Sequence, residues 1–388
     1  MAARKAGILA LLTSFPRGGC SSYDSGSDDE SEARACAYML EKLFPPPTKR
    51  PKIVGYIEDV VHKYSDEEFR RNFRLPRSAC YDLISDFEES SFYPDSFSRG
   101  GIPQKTAEEH ILSFLWFAGN KCCIRDVAGR FNLSEGGFHN MKERVVNYLL
   151  AIAPSVIKFP ADLDSLASDF EEVSGIPGVI GCIDGTYINF RCPDEKIPAT
   201  YVNRHEALSL TLQGVCDDKR RFIDAFTGVS SRIHDARVFD LSDLSERLPA
   251  LCRRGKFHIL GDAAYPSREY LVTPFKDYGK MTREQRDFNR DFSATRVTIE
   301  NSFQVLKRRF MQLSYLEFAE VDTASKFIMS CCVLHNLCIQ SGDLEIEGVE
   351  ATSDRLPDDD DTIEETRPVL RSRGIAKRER LCDYVNRP

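Results

Sequence analysis

The thirteen residues from Gly178 to Phe190 constrain the fold of this chain more than any other stretch. They form an apolar run broken by one carboxylate, Asp184. A buried strand carries an aspartate only where something satisfies its charge. Asp-Gly between two apolar runs is also a hairpin signal. The local pattern therefore admits a turn, or a strand that presents Asp184 to a metal ion. Both hold together if Gly185 turns the chain as Asp184 reaches the ion, with its strand central in the sheet. Other carboxylates decide the matter.

Two candidates lie downstream. Lys256 to Asp262 reads as a short strand ending in a carboxylate, and residues at strand ends of an α/β sheet face its functional crevice. A turn or capping aspartate is the plainer reading of Asp262. A helix is expected over residues 293–314. On it Ile299, Phe303, Leu306, Phe310 and Leu313 make an apolar stripe, flanked by Arg296, Glu300, Gln304 and Lys307. Glu300 then sits at the edge of the buried face, or is a solvated partner of Arg296 one turn earlier. Three clustered carboxylates repel one another, and a divalent cation removes that penalty. Hard oxygen ligands suit Mg²⁺ or Mn²⁺. Two such ions can activate a water or a 3′-hydroxyl and stabilise the leaving oxygen of a phosphodiester. Lys307, one face-repeat beyond Glu300, is placed to contact a backbone phosphate.

The rest of the chain frames this site. Residues 1–52 read as a disordered segment: a Ser/Asp/Glu tract from Ser21 to Ser31, then Pro45-Pro46-Pro47 and the basic Lys49-Arg50-Pro51-Lys52. That basic cluster fits a nuclear import signal or a solvated linker. Residues 53–155 read as helical. Ser65-Asp66-Glu67-Glu68 and Thr106 with Glu109 are helix starts. Cys123 to Phe131, a turn through Asn132-Leu133-Ser134, and Glu135 to Leu150 make a helix-turn-helix pattern. Its second helix would offer His139, Asn140, Lys142 and Arg144 to DNA; an ordinary helical hairpin is the alternative. Residues 176–340 change texture to strands, with a hairpin turn at Asp217-Asp218-Lys219-Arg220, and close with helices. Residues 341–388 read as a charged disordered tail.

The net charge of −8 argues weakly against a nucleic-acid binder, yet most of it sits in the two ends, and residues 36–340 carry only −2. Thirteen scattered cysteines without a Cys-x-x-Cys fit free thiols in a reducing compartment. Cys331-Cys332-x-x-His335-x-x-Cys338 lies in an apolar helical run and reads as buried helix rather than a zinc site. That run is too short and too polar to span a bilayer, so no membrane is expected.

Ordered motifs then narrow the choice. They are Gly181 to Thr186, His234-Asp235-Ala236-Arg237-Val238-Phe239, Leu260 to Pro266, Leu271 to Phe275, Phe288-Asn289, Arg296 to Phe303, Leu306 to Phe310, and Leu334-His335-Asn336. Over residues 178–338 the chain resembles the DDE nuclease domain of PIF/Harbinger transposases and the nucleases domesticated from them. Residues 64–150 resemble, less specifically, the helical DNA-binding region that precedes it. The resemblance implies an α/β, RNase H-like fold, a mixed sheet with flanking helices, preceded by an all-helical helix-turn-helix-like region. It implies Asp184, Asp262 and Glu300 as catalytic metal ligands for a pair of Mg²⁺ or Mn²⁺ ions. DNA would be met by Lys307, Arg296, Lys142 and Arg144. It also implies a separate Myb/SANT-like partner, and a nuclear location with the cytoplasm as second compartment; an oligomer stays open. Two departures stand out: Val229-Ser230-Ser231-Arg232 replaces the family's Trp-Pro-Gly-Ser turn, and Asn301 replaces an arginine. Asp235 fits either a fourth acidic group or, preferably, the cap of the helix starting at Ala236. Three functions compete: a metal-dependent nuclease or transposase, a domesticated non-catalytic DNA- or chromatin-associated protein, and a phosphohydrolase of small substrates.

Overall fold

Strand β1 (Val179–Asn189) runs unbroken through Asp184-Gly185. Asp184 pairs with Gly214 and Gly185 with Gln213 on β2 (Ser209–Cys216), so the Asp-Gly dipeptide is not a turn. Its apolar flanks find sheet partners on both sides, and those ladders outweigh the local turn preference. The computed structural model describes residues 50–94, 104–191, 200–203, 206–318, 320–343 and 368–387, with Tyr38 and Lys42 besides. The chain divides into two compact units, Met1–Pro51 and Lys52–Pro388, and the second is the one described here. The disorder expected of residues 1–52 falls almost wholly outside the described residues.

Five strands form one sheet in the order β3-β2-β1-β4-β5, with β3 (Phe222–Ser230), β4 (His258–Leu260) and β5 (Leu271–Val272). β1, β2 and β3 are antiparallel neighbours, whereas β4 and β5 run parallel to β1. β1 is therefore central. β2 is buried along its whole length, the mark of a sheet covered on both faces. The turn at Asp217–Arg220 joins β2 to β3, its bend fixed by Asp217, whose Oδ1 accepts from Lys219 N and Arg221 N.

The N-terminal region is helical: α1 (Tyr56–Asp59), α2 (Asp66–Phe73), α3 (Arg77–Glu89), α4 (Ala107–Gly119), α5 (Ile124–Arg130), α6 (Glu135–Val156) and α7 (Leu163–Ser174). The starts read from sequence are present. Ser65 Oγ accepts from Glu68 N, Thr106 and Glu109 close a capping box, and Ser134 Oγ accepts from Gly137 N. One cap closes about 1 kcal/mol of otherwise unmet hydrogen bonding.

Past the sheet come α8 (Asp235–Leu241), α9 (Leu244–Leu251), α10 (Arg283–Arg309), α11 (Val321–Gln340) and α12 (Pro368–Val385). α10 covers one face: Cys182 Sγ lies 3.5 Å from Thr295 O, and Phe303 stacks near Phe222. α8 and α9 cover the other, where Gln213 Nε2 donates to Ser242 Oγ. α10 begins ten residues before the helix expected over 293–314, because Thr282 and Gln285 form a second capping box.

α11 joins the helical region to the sheet. Phe327 packs between Phe114 and Phe117 of α4, and all three are buried. Burying each ring contributes about 2–3 kcal/mol, enough to make this seam part of the core rather than a contact between lobes. Cys331, Cys332, His335 and Cys338 are buried along α11 and gather no metal-ligand group among the described residues. His335 Nε2 is bonded to Arg220 O at 2.9 Å. Asn336 caps the edge of β3 in both senses, accepting from Phe222 N at 2.8 Å and donating to Phe222 O at 2.7 Å.

The tail expected to be disordered beyond residue 341 is corrected over residues 368–385, which form α12. Gly374 lets it approach the chain closely: a Cβ there would lie 2.5 Å from Arg268 N. Lys377 Nζ donates to Gly255 O at 2.6 Å, and Arg378 Nη1 donates to Pro274 O at 2.8 Å. The helix docks through long cationic side chains on carbonyls, so no apolar stripe marks it in the sequence.

Candidate metal centre

The sheet register brings the first two carboxylates together. Cys182 of β1 lies opposite Leu260 of the parallel strand β4. Side-chain direction repeats every second residue, so Asp184 comes level with Asp262, just past the end of β4. Asp184 Oδ1 accepts from Gly185 N at 2.8 Å, and Asp262 Oδ1 accepts from Ala264 N at 3.0 Å.

The third member of the tight group is Asp235 rather than Glu300. One oxygen each from Asp184, Asp235 and Asp262 lie within 4.8 Å of one another. Asp235 is the first residue of α8, whose N-cap is His234, so the capping role preferred from sequence is corrected. It reaches the group past Gly185, where a Cβ would stand 2.7 Å from Asp235 Oδ1. Any side chain at position 185 would block that approach. In the sequence, the only trace of this fit is a glycine inside a strand, 50 residues before the aspartate that needs it.

Glu300 stands beside this group, linked through Arg296. Arg296 Nη2 is 3.0 Å from Asp184 Oδ2 and 3.8 Å from Glu300 Oε1. The Asp184 and Glu300 carboxylates can therefore be no further apart than those two legs end to end, within the span of a metal pair whose ions lie about 4 Å apart. All three predicted ligands, Asp184, Asp262 and Glu300, thus converge on one place, with Asp235 added.

Opposed charges meet in the centre. Burial raises the Asp184 carboxyl above its ordinary range, the Arg296 guanidinium pulls it down, and Glu300 pushes it up again. For Arg296, burial works against the charged form, but Asp184, Asp262 and Glu300 together hold its pKa above the usual value. One guanidinium thus faces these three carboxylates. The donor set suits a hard cation: three oxygens around one Mg²⁺ or Mn²⁺ at about 2.1 Å would stand roughly 3–4 Å apart, close to the observed grouping.

The residues expected to meet DNA are placed unevenly. Arg296 is turned into the acidic group. Lys307 Nζ donates to Thr186 Oγ1 at 2.7 Å and to Tyr187 O at 2.9 Å, which holds the ammonium beside β1. Lys142 is corrected outright: it is 6% exposed, its ammonium 4.5 Å from the Phe318 ring centre, and burial lowers its pKa. It falls on the apolar stripe of α6 with Phe138, Met141, Val145 and Leu149. Arg144 is half-buried, and His139 and Asn140 are exposed.

Residues 183–336 match a family model described as a DDE superfamily endonuclease. The candidate nuclease HARBI1 of Bos taurus is 28% identical over 284 residues, covering 72% of this chain and 79% of that one. An ALP1-like protein of Arabidopsis thaliana is 27% identical over 297 residues, 72% of each chain. The Arabidopsis protein named antagonist of like heterochromatin protein 1 is 26% identical over 238 residues, 58% of this chain and 60% of that one. No solved structure gives a significant match. The mixed five-stranded sheet with flanking helices is the RNase H-like architecture of DDE nuclease domains.

Proposed function

We propose that the protein is a divalent-metal-dependent DNA endonuclease of Harbinger-transposase descent that hydrolyses phosphodiester bonds, a reading supported by the match of residues 183–336 to a DDE superfamily endonuclease model and by the similarity to HARBI1. The gathering of Asp184 and Asp262 with Asp235 in one tight carboxylate group, with Glu300 beside it across Arg296, is the observation that carries this reading. Bound Mg²⁺ or Mn²⁺, two ions in the full reading, would supply a nucleophilic water and charge stabilisation at the leaving oxygen. Asp184 is the shared ligand, because it lies in the tight group and also reaches toward Glu300 through Arg296. Arg296 holds Asp184 in place before an ion arrives. Lys307, held beside β1 by Thr186 and Tyr187, keeps a positive charge near the centre for a backbone phosphate.

The same reading extends to joining of the released 3′-hydroxyl to target DNA, to a nuclear location, and to a Myb/SANT-like partner that helps deliver the chain. The helical region contributes to DNA contact through the exposed front of α6 and Arg144, not through Lys142.

Plasmid nicking in Mg²⁺ or Mn²⁺, with EDTA as control, tests the activity. The wild type is expected to nick, and Asp184→Ala to fall to background. Unchanged cleavage by Asp184→Ala would sink the assignment. A domesticated, non-catalytic chromatin protein is the second reading. It is favoured by the similarity to a plant protein whose name sets it against a heterochromatin protein. Metal binding without cleavage of any DNA would select it.

A further inference from the structure

Resting on the nuclease reading, we infer that Asp235 is itself a metal ligand, which with Asp184 and Asp262 holds one ion independently of Glu300.

Three features carry this. The tightest carboxylate group among the described residues contains Asp235 and not Glu300. Gly185 leaves the gap through which Asp235 reaches that group from the α8 side of the strand. The third feature is a buried donor with nothing to bond. The Tyr265 side chain is 4% exposed and its hydroxyl has no hydrogen-bond partner among the described residues. Its ring packs edge-on against Phe239, one helical turn beyond Asp235 on α8. Burial, then the charges of Asp235, Asp184 and Asp262 in that order, push the Tyr265 phenol well above its ordinary range. A buried hydroxyl left unpaired costs about 1–3 kcal/mol. Beside an occupied carboxylate site it faces ligand oxygens or an ion-bound water, which would meet its bonding need.

Geometry separates the two ends of the centre. The tight group of Asp184, Asp235 and Asp262 includes no carboxylate of α10, whereas Glu300 is linked to Asp184 across Arg296. A first ion can therefore enter the aspartate group while Arg296 still spans Asp184 and Glu300.

The test is Mn²⁺ binding to the full chain without DNA, by titration calorimetry and by electron paramagnetic resonance of free Mn²⁺. Asp235→Asn is expected to weaken the first Mn²⁺ at least tenfold, as Asp184→Asn and Asp262→Asn do, while Glu300→Gln changes it less than about threefold. The metal-free thermal midpoint of Asp235→Asn checks that the variant is folded before its Mn²⁺ affinity is read. Loss of charge alone could mimic loss of a ligand, so Asp235→Cys provides the second arm. A thiolate at a ligand position shifts preference from Mn²⁺ toward Cd²⁺, whereas at a mere neighbour it does not. Wild-type Mn²⁺ affinity in a folded Asp235→Asn, or no Cd²⁺ shift in Asp235→Cys, overturns the inference. If Asp184→Asn and Asp262→Asn also bind Mn²⁺ as the wild type does, it is the nuclease reading that fails.

Discussion

Helix α10 carries a charge cluster at each of two places, and they are built on opposite plans. Near its C-terminal end, Arg309 Nη1 donates to Asp343 Oδ2 at 2.6 Å and Arg309 Nη2 to Asp343 O at 2.9 Å. Arg70 of α2 donates to the other Asp343 oxygen at 3.0 Å. One carboxylate there is met by two guanidinium groups, and both of its oxygens are bonded. Thirteen residues earlier, one guanidinium, Arg296, faces the carboxylates of Asp184, Asp262 and Glu300, and the Tyr265 hydroxyl has no hydrogen-bond partner among the described residues. A cluster whose bonds are made within the chain ties α2, α10 and the end of α11 together. Carboxylates crowded around one guanidinium are costly to fold, and a bound cation relieves that cost. The closed pair of Arg309 and Asp343 is the more deeply buried, whereas Arg296, Asp184 and Glu300 are each partly open to solvent.

Breaking the closed cluster is expected to give the largest effect on stability. Asp343→Ala leaves Arg309 buried at 2% exposure without its partner and should cost about 3–5 kcal/mol in urea denaturation. Mn²⁺ affinity of the folded fraction should not change. Lost Mn²⁺ binding would mean that the two clusters are coupled along α10.

Arg296→Gln acts on the open cluster and should show the reverse pattern. The metal-free protein loses about 1–3 kcal/mol, since Asp184 and Glu300 then repel without a bridge, and added Mn²⁺ restores it. Mn²⁺ should bind the variant more tightly than the wild type, because no guanidinium competes for Asp184. Weaker binding would show that Arg296 positions Asp184 rather than standing in for an ion.

A smaller effect follows from pH. Asp184 has a raised pKa in the folded, metal-free protein, chiefly through burial. A carboxyl whose folded pKa is raised binds its proton more tightly when folded, so its contribution to stability is lost as pH rises through the folded value. A proton therefore competes with the ion above the ordinary aspartate range of about 4. Mn²⁺ affinity should fall with decreasing pH from above that range, and Asp184→Asn should remove the metal-free protein's matching stability change. A profile that stays flat down to pH 4 would contradict the assigned cause.

The smallest effect is expected in the helical region. Lys142→Met should change DNA affinity by less than about threefold and leave its salt slope unaltered, because a cation held over Phe318 is not released to a phosphate. A slope reduced by about one would return Lys142 to the DNA-facing surface.

What could be read in advance follows from the range of the interactions concerned. The caps at Ser65, Thr106 and Ser134 were legible because donor and acceptor lie within three residues of each other. The capping box at Thr282 has the same short range, yet charged residues around it disguised the first ten residues of α10. The burial of Lys142 was also present in the spacing from Phe138 to Leu149, hidden by the habit of placing lysines outside. α12 was not legible, since Lys377 and Arg378 find their carbonyls more than a hundred residues away.

The metal centre divides in the same way. Residue type and strand-end position singled out Asp184 and Asp262, and a helical stripe singled out Glu300, because each signal is carried by a few neighbouring residues. Sequence alone thus determined the kind of chemistry: carboxylates on apolar elements that ask for a cation. Whether Asp184-Gly185 turned or ran straight was decided by pairing with β2 and β4, whose ladders satisfy a whole strand where a turn satisfies one bond. Tertiary structure also decided that Gly185 is a gap rather than a bend, and that Asp235 enters through it. No spacing rule encodes that choice, because it depends on the distance between a strand and a helix that meet only when the sheet closes.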